Sequence, residues 1–137
     1  MEPARALPLF CGALEALGEA HRLGIVHKDI KPANLFLSRP GTRNELLKVV
    51  DFGIAHIGGT DEAQMTQTGA MFGTPQYLSP EYVQTQAVGP QMDVYQMGLV
   101  LVELLTGRSV VEDESPWQCA LKHATGELVI PSVLLDG

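Results

Sequence analysis

Apolar residues recur at helical spacing between Leu7 and Leu23, at Phe10, Leu14 and Leu17 and again at His21, with alanines filling the gaps. This pattern predicts a helix. Gly24 should end it, because glycine adopts the left-handed backbone that helix C-termini favour. Ile25-Val26 predicts a very short strand. Leu35 to Leu37 and Leu46 to Val50 predict two more, separated by Ser38 to Asn44 with the turn pair Pro40-Gly41. Such a hairpin would bring Asn34 and Asp51 to one end, since each flanks a paired strand. Residues 55–76 show little periodicity, which predicts a long loop. Met92 to Thr106 predicts a helix closed by Gly107. Only Gln96 and Glu103 are strongly polar between Val94 and Leu105, so this helix should be apolar nearly all round, central and buried. Ser115-Pro116-Trp117-Gln118 has Ser at a candidate N-cap, Pro at N1 and Gln at N3, a capping-box start for a helix to about Thr125. Trp117 should pack within that helix.

Composition narrows the function classes. The chain has 137 residues, 45% hydrophobic and 18% charged, which suits one globular domain with a real core. A net charge of −7 and only nine Lys and Arg argue against a nucleic-acid surface. Cys11 and Cys119 are too few for a disulfide framework and are expected as buried thiols. The longest apolar run, Met97 to Val102, is far short of a membrane span, and the N-terminus lacks a signal-peptide pattern. A cytoplasmic setting is the expectation.

The chemistry concentrates in two places. His27-Lys28-Asp29-Ile30-Lys31-Pro32-Ala33-Asn34 puts an acid, a lysine and an asparagine on one short loop. Asp51-Phe52-Gly53 adds a second acid 17 residues after Asn34. An isolated Asp in a loop is most often a local cap; this ordered set points instead to a site for Mg²⁺, a nucleotide and a hydroxyl. Gly73-Thr74-Pro75-Gln76-Tyr77-Leu78-Ser79-Pro80-Glu81 and Asp93-Val94-Tyr95-Gln96-Met97-Gly98 extend the set.

These motifs resemble those of a protein kinase, in the style of bacterial serine/threonine kinases of the eukaryotic type. The resemblance runs from about Leu7 to Leu128. It implies a protein-kinase-like C-lobe, mainly α with a small β-hairpin: catalytic loop 27–34, activation segment 51–81, central helix 92–106. It implies Asp29 as catalytic base, Lys31 at the transferred phosphate, and Asn34 and Asp51 as Mg²⁺ ligands, Asp51 bridging to ATP. Thr74 would contact Asp29 and Lys31 on the substrate platform, favouring Ser and Thr hydroxyls of protein substrates. His27, Phe52, Gly53, Glu81 and Asp93 would be structural, Asp93 bracing the loop around His27, with self-capping of its own helix as the plainer role. Thr66 and Thr68 lie where similar kinases are autophosphorylated. Lys28 replaces the Arg of most regulated members, offering a point charge and no bidentate fork.

The sequence also departs from the kinase pattern. It contains no Gly-x-Gly loop and no Val-Ala-x-Lys strand. A C-lobe truncated at both ends is therefore expected, with the N-lobe missing and supplied by a parent protein. The late Arg that pairs with Glu81 is also missing, since Arg108 comes too early. Two other readings stay open: a non-catalytic kinase-like interaction module working through residues 73–83, and a small-molecule phosphotransferase. His21, His56 and His123 have no partner at metal-ligand spacing, and no role follows for them.

Overall fold

A computed structural model describes residues 1–52, 73–112, 115–128 and 130. Gly53, Thr66 and Thr68, with most of the segment expected as a long loop, lie outside the described residues.

Helix α1 spans Pro3–Arg22. It begins earlier than the apolar pattern indicates because Pro3 sits in the first turn, where its missing N–H costs nothing. Gly24 follows the C-cap Leu23 at φ +77°, the left-handed conformation expected of it. The buried stripe is Ala6, Leu9, Phe10, Ala13 and Leu17. Leu14 is 39% exposed and lies off that stripe, one residue beyond Ala13. Cys11, next to Phe10, is exposed as well, whereas Cys119 is buried as expected.

Ile25-Val26 forms no strand; residues 25–31 run without regular secondary structure. A 3₁₀ turn at Pro32–Asn34 leads into β1, Leu35–Ser38, which pairs antiparallel with β2, Leu46–Val49. The register sets Leu35 opposite Val49 and half-buried Leu37 opposite Leu47, with Leu35, Leu47 and Val49 packed against the core, and Phe36 opposite Lys48 on the outer face. Arg39 and Gly41 in the connecting turn both have positive φ. Glu45 receives both arms of an Arg5 fork, linking this turn to α1.

A second 3₁₀ turn, Pro75–Tyr77, precedes α2, Pro80–Thr85, whose N-cap Ser79 accepts the Tyr82 N–H. Helix α3, Pro90–Thr106, starts two residues before the expected Met92, again with Pro at N1, and closes at Gly107, φ +73°. Helix α4 is Pro116–Thr125. Ser115 occupies its N-cap position, but the serine side chain makes no capping bond to the helix.

Helix α3 lies against α1, and α1 against β2; α2 packs on α4. Phe10, Ala13 and Leu17 of α1 meet Met97, Leu99 and Val100 of α3, with Ile30 and Tyr77 filling between. Each such large side chain contributes about 1.5–3 kcal/mol by leaving water. A second cluster joins Leu78, Tyr82, Met92 and Ala120. The expectation that α3 is apolar and buried all round is corrected here. Asp93 and Gln96 are among its most buried residues, whereas Val94 is 55% exposed. The polar residues point inward because the loop beside α3 needs hydrogen-bond partners. Trp117 also departs from expectation: it is 67% exposed on α4 and packs into no core. No helix among the described residues is long and apolar enough to cross a membrane.

Candidate active site

The loop after α1 cannot satisfy its own backbone, because it makes no sheet or helix between residues 25 and 31. Side chains of α3 do so instead. Asp93, fully buried, accepts the His27 N–H on Oδ2 and the Lys28 N–H on Oδ1, both at 2.8 Å. His21, near the end of α1, donates from Nε2 to the same Asp93 Oδ2 at 2.7 Å. Helix α3 has Gly89 at its N-cap, so the Asp93 carboxylate serves the loop and does not cap its own helix. Lys28 has φ +74°, a conformation that costs about 1–3 kcal/mol in a non-glycine residue. Asp93 on its N–H and Gln96 on its carbonyl hold it there.

His27 is wholly buried and works through both ring nitrogens. Nε2–H donates to the Val50 carbonyl at 2.8 Å, and Nδ1 accepts the Asp29 N–H at 3.2 Å. The imidazole therefore ties the loop to the end of β2. Phe52 lies against the His27 ring, centroids 4.9 Å apart. His27 and Phe52 thus pack ring against ring beside the end of β2.

Three residues meet at the centre. Thr74 Oγ1 accepts from Lys31 Nζ at 2.9 Å and donates to Asp29 Oδ1 at 3.1 Å. Lys31 Nζ also lies 3.3 Å from Asp29 Oδ2. Asp29 and Lys31 are only partly exposed, so this acid–cation–hydroxyl triangle is half-shielded from water yet reachable. Gly73, at φ +98°, makes the bend that delivers Thr74 into it.

Asn34 and Asp51 come together through the hairpin. Val50 N–H donates to the Asn34 carbonyl at 2.9 Å, placing Asp51 one residue beyond the pair. Asn34 Nδ2 donates to the Asp29 carbonyl at 2.7 Å, which fixes the amide and leaves Oδ1 as its remaining polar atom. Asp51 is exposed, at φ +55°, and no cation pairs with it among the described residues. No cluster of three or more His, Cys, Asp or Glu that could hold a metal occurs among the described residues. One neutral and one charged oxygen nonetheless fit Mg²⁺, which binds few protein ligands and fills its shell with phosphate oxygens and water.

The platform after Thr74 is anchored from the other side. Tyr77 donates its hydroxyl to Glu103 at 2.5 Å; burial and this carboxylate push its pKa well up. His123, fully buried on α4, donates from Nε2 to the Gln76 carbonyl at 3.0 Å. Its Nδ1 accepts the Tyr95 hydroxyl at 2.8 Å. Burial lowers the His123 pKa, partly offset by the carbonyls of Gln76 and Pro75. Burial, and then the negative Glu81, push Tyr95 up to about 12. Glu81 itself is exposed in the first turn of α2, with no arginine against it among the described residues.

The sequence gives no role to His21 and His123, and marks Gln96 only as a polar residue on an otherwise apolar helix. All three are buried or nearly so and bond to segments distant in the chain. A polar residue on a helix otherwise rich in apolar ones was the available signal for Gln96. Nothing local marks the two histidines.

The loop braced by a buried Asp thus stands beside the Asp29–Lys31–Thr74 triangle, with Asn34 and Asp51 at the adjoining end of the hairpin. The sequence matches the protein kinase domain family over residues 2–131, and the chain belongs to that family. It is 47% identical over 131 residues to a probable serine/threonine-protein kinase of Streptomyces coelicolor, covering 96% of this chain and 19% of that protein. It is 42% identical over 130 residues to the serine/threonine-protein kinase PknB of Mycolicibacterium smegmatis, 95% of this chain and 20% of that one. Against PknB of Mycobacterium tuberculosis it is 39% identical over 137 residues, 100% of this chain and 21% of the relative. The chain thus spans about a fifth of the length of the curated relatives it matches.

Proposed function

We propose that residues 1–137 are the C-lobe of a serine/threonine protein kinase, which transfers the γ-phosphoryl group of ATP to Ser or Thr hydroxyls of proteins. The observation that carries this reading is the contact of Thr74 with both Asp29 and Lys31. Thr74 begins the segment that would seat the substrate, and its hydroxyl registers that segment on the acid and the cation.

Asp29 accepts the proton of the incoming hydroxyl and orients its oxygen. Lys31 offsets negative charge that builds on the transferred phosphoryl group. Asn34 Oδ1 and the Asp51 carboxylate would hold Mg²⁺, which would supply positive charge against the phosphates. Phe36 is 59% exposed two residues beyond Asn34 and offers an apolar ring face to the nucleotide base. No Gly-x-Gly loop or Val-Ala-x-Lys strand to cover the phosphates occurs within residues 1–137. The isolated 137-residue chain should therefore fail to saturate with MgATP at millimolar levels. Similarity to relatives that carry the serine/threonine-protein kinase name supports the choice of hydroxyl.

The test is phosphoryl transfer from labelled ATP to Ser-, Thr- and Tyr-containing peptides by the chain joined to its nucleotide-binding lobe. Label should appear on Ser or Thr, and Asp29→Asn should lower turnover by roughly 10²–10⁴. Asp51→Asn should abolish Mg²⁺-dependent transfer without unfolding the protein. Undiminished turnover in either variant would overturn the assigned roles.

A further inference from the structure

Gln96 lies in the first half of α3 and is 1% exposed. Its side-chain amide is shared between two segments far apart in the sequence. Oε1 accepts the Ile30 N–H at 2.9 Å. Nε2 donates to the Lys28 carbonyl at 3.2 Å and to the Tyr77 carbonyl at 3.0 Å. The partners fix the amide orientation, because an N–H can only donate and a carbonyl can only accept. Both amide protons and one acceptor position are therefore used, and each partner is a backbone group flanking the candidate centre. Lys28 and Ile30 enclose Asp29; Tyr77 closes the turn that follows Thr74.

We infer that Gln96 is a positioning residue that couples the catalytic loop to the substrate platform, so that Asp29 and Thr74 hold their relative placement. This deepens the kinase reading and rests on it for the word substrate. Asp93 braces the loop alone and His123 the platform alone. Among these three α3 and α4 side chains, Gln96 is the one that bonds to both. No simpler side chain reproduces it, because two carbonyl oxygens and one N–H must be met from a single buried point. Methionine fills similar volume but leaves all three without a partner. A glutamate keeps an acceptor for Ile30 but, once ionised, turns an oxygen toward the Lys28 and Tyr77 carbonyls.

Two variants and two readouts test this. Hydrogen exchange on the 137-residue chain requires no catalysis. Gln96→Met and Gln96→Glu should each speed exchange at least tenfold in both residues 28–31 and 74–78, leaving the β1–β2 hairpin unchanged. Acceleration in only one segment, or equal acceleration throughout the chain, would overturn the coupling. Should Gln96→Met not fold, Gln96→Glu alone decides. In the chain joined to its nucleotide-binding lobe, Gln96→Glu should raise the peptide KM and lower kcat, each by fivefold or more, with the ATP KM unchanged. Its activity should fall with rising pH as the glutamate ionises, relative to the unmodified enzyme. Equal loss for ATP and peptide with no pH signature would mean a merely structural role. If the unmodified enzyme transfers no phosphate, the kinase reading fails, and the exchange result still decides whether the two segments are coupled.

Discussion

The loop after α1 and the β-hairpin are neighbours held by opposite means. From Leu35 to Val49 the hairpin satisfies itself through a regular backbone ladder, and its outer fastening is the exposed Arg5–Glu45 fork. From Ile25 to Lys31 the loop has no ladder and includes a strained residue, Lys28. It is held by buried polar side chains: Asp93 and Gln96 from α3, His27 from within the loop itself and, at one remove, His21 from α1. A ladder fixes a strand but commits its carbonyls and N–H groups to one another. A loop braced from beneath is free to aim Asp29 and Lys31 outward while staying rigid. The requirement for this bracing explains why α3 carries acid and amide into a core of Met97, Leu99 and Val100.

Mutations should separate the two regimes. Asp93→Ala should have the largest effect, because it leaves the His27 and Lys28 N–H groups buried without a partner. A loss of about 3–5 kcal/mol is expected, read as a fall in the urea midpoint. His21→Phe keeps the ring volume and removes one bond to the carboxylate, so a smaller loss of about 1.5–3 kcal/mol should follow. A His21→Phe loss equal to that of Asp93→Ala would place the bracing on α1 and not on the loop.

Acid should act on the platform side. His123 is held below the ordinary imidazole value of 6.5 by burial, so the unfolded chain gains this proton before the folded one. The stability that neutral His123 contributes is complete above pH 6.5 and is lost as pH falls from there toward the folded value. The groups facing it are the Tyr95 hydroxyl from α3 and the Gln76 and Pro75 carbonyls, with Glu81 acting through Tyr95. The urea midpoint should drop between pH 7 and pH 5, and drop less in His123→Gln. An equal drop in both proteins would assign the effect to other groups. The smallest effect belongs to Arg5→Ala, whose fork is exposed; it should leave the midpoint unchanged within error.

The contrast also explains what could be read in advance. The hairpin was legible because its determinants are local: apolar runs either side of Pro40-Gly41. The triangle of Asp29, Lys31 and Thr74 was legible through motifs, and its distances agree with them; the Val50–Asn34 backbone bond sets Asn34 and Asp51 at one end of the hairpin, as the paired strands imply. The bracing was legible only in part: the resemblance set Asp93 beneath His27, and its bonds to the His27 and Lys28 N–H groups agree. Gln96 and His21 carried no such mark, because their partners are backbone and carboxylate groups of distant segments. Ile25-Val26 looks like a strand by composition but meets no partner strand among the described residues. Trp117 and Leu14 look like core residues, yet each points away from its helix's buried stripe. In each case the deciding partner lies far away in sequence, where no local pattern reports it.

The central claim is that side chains make an irregular loop as firmly held as a strand pair, and amide hydrogen exchange on the unmodified chain tests it directly. The amides of His27, Lys28 and Ile30 should exchange as slowly as those of the β1–β2 ladder, within about tenfold. Exchange as fast as that of the exposed turn at residues 41–44 would contradict the account, since Asp93 and Gln96 would then not be holding the loop.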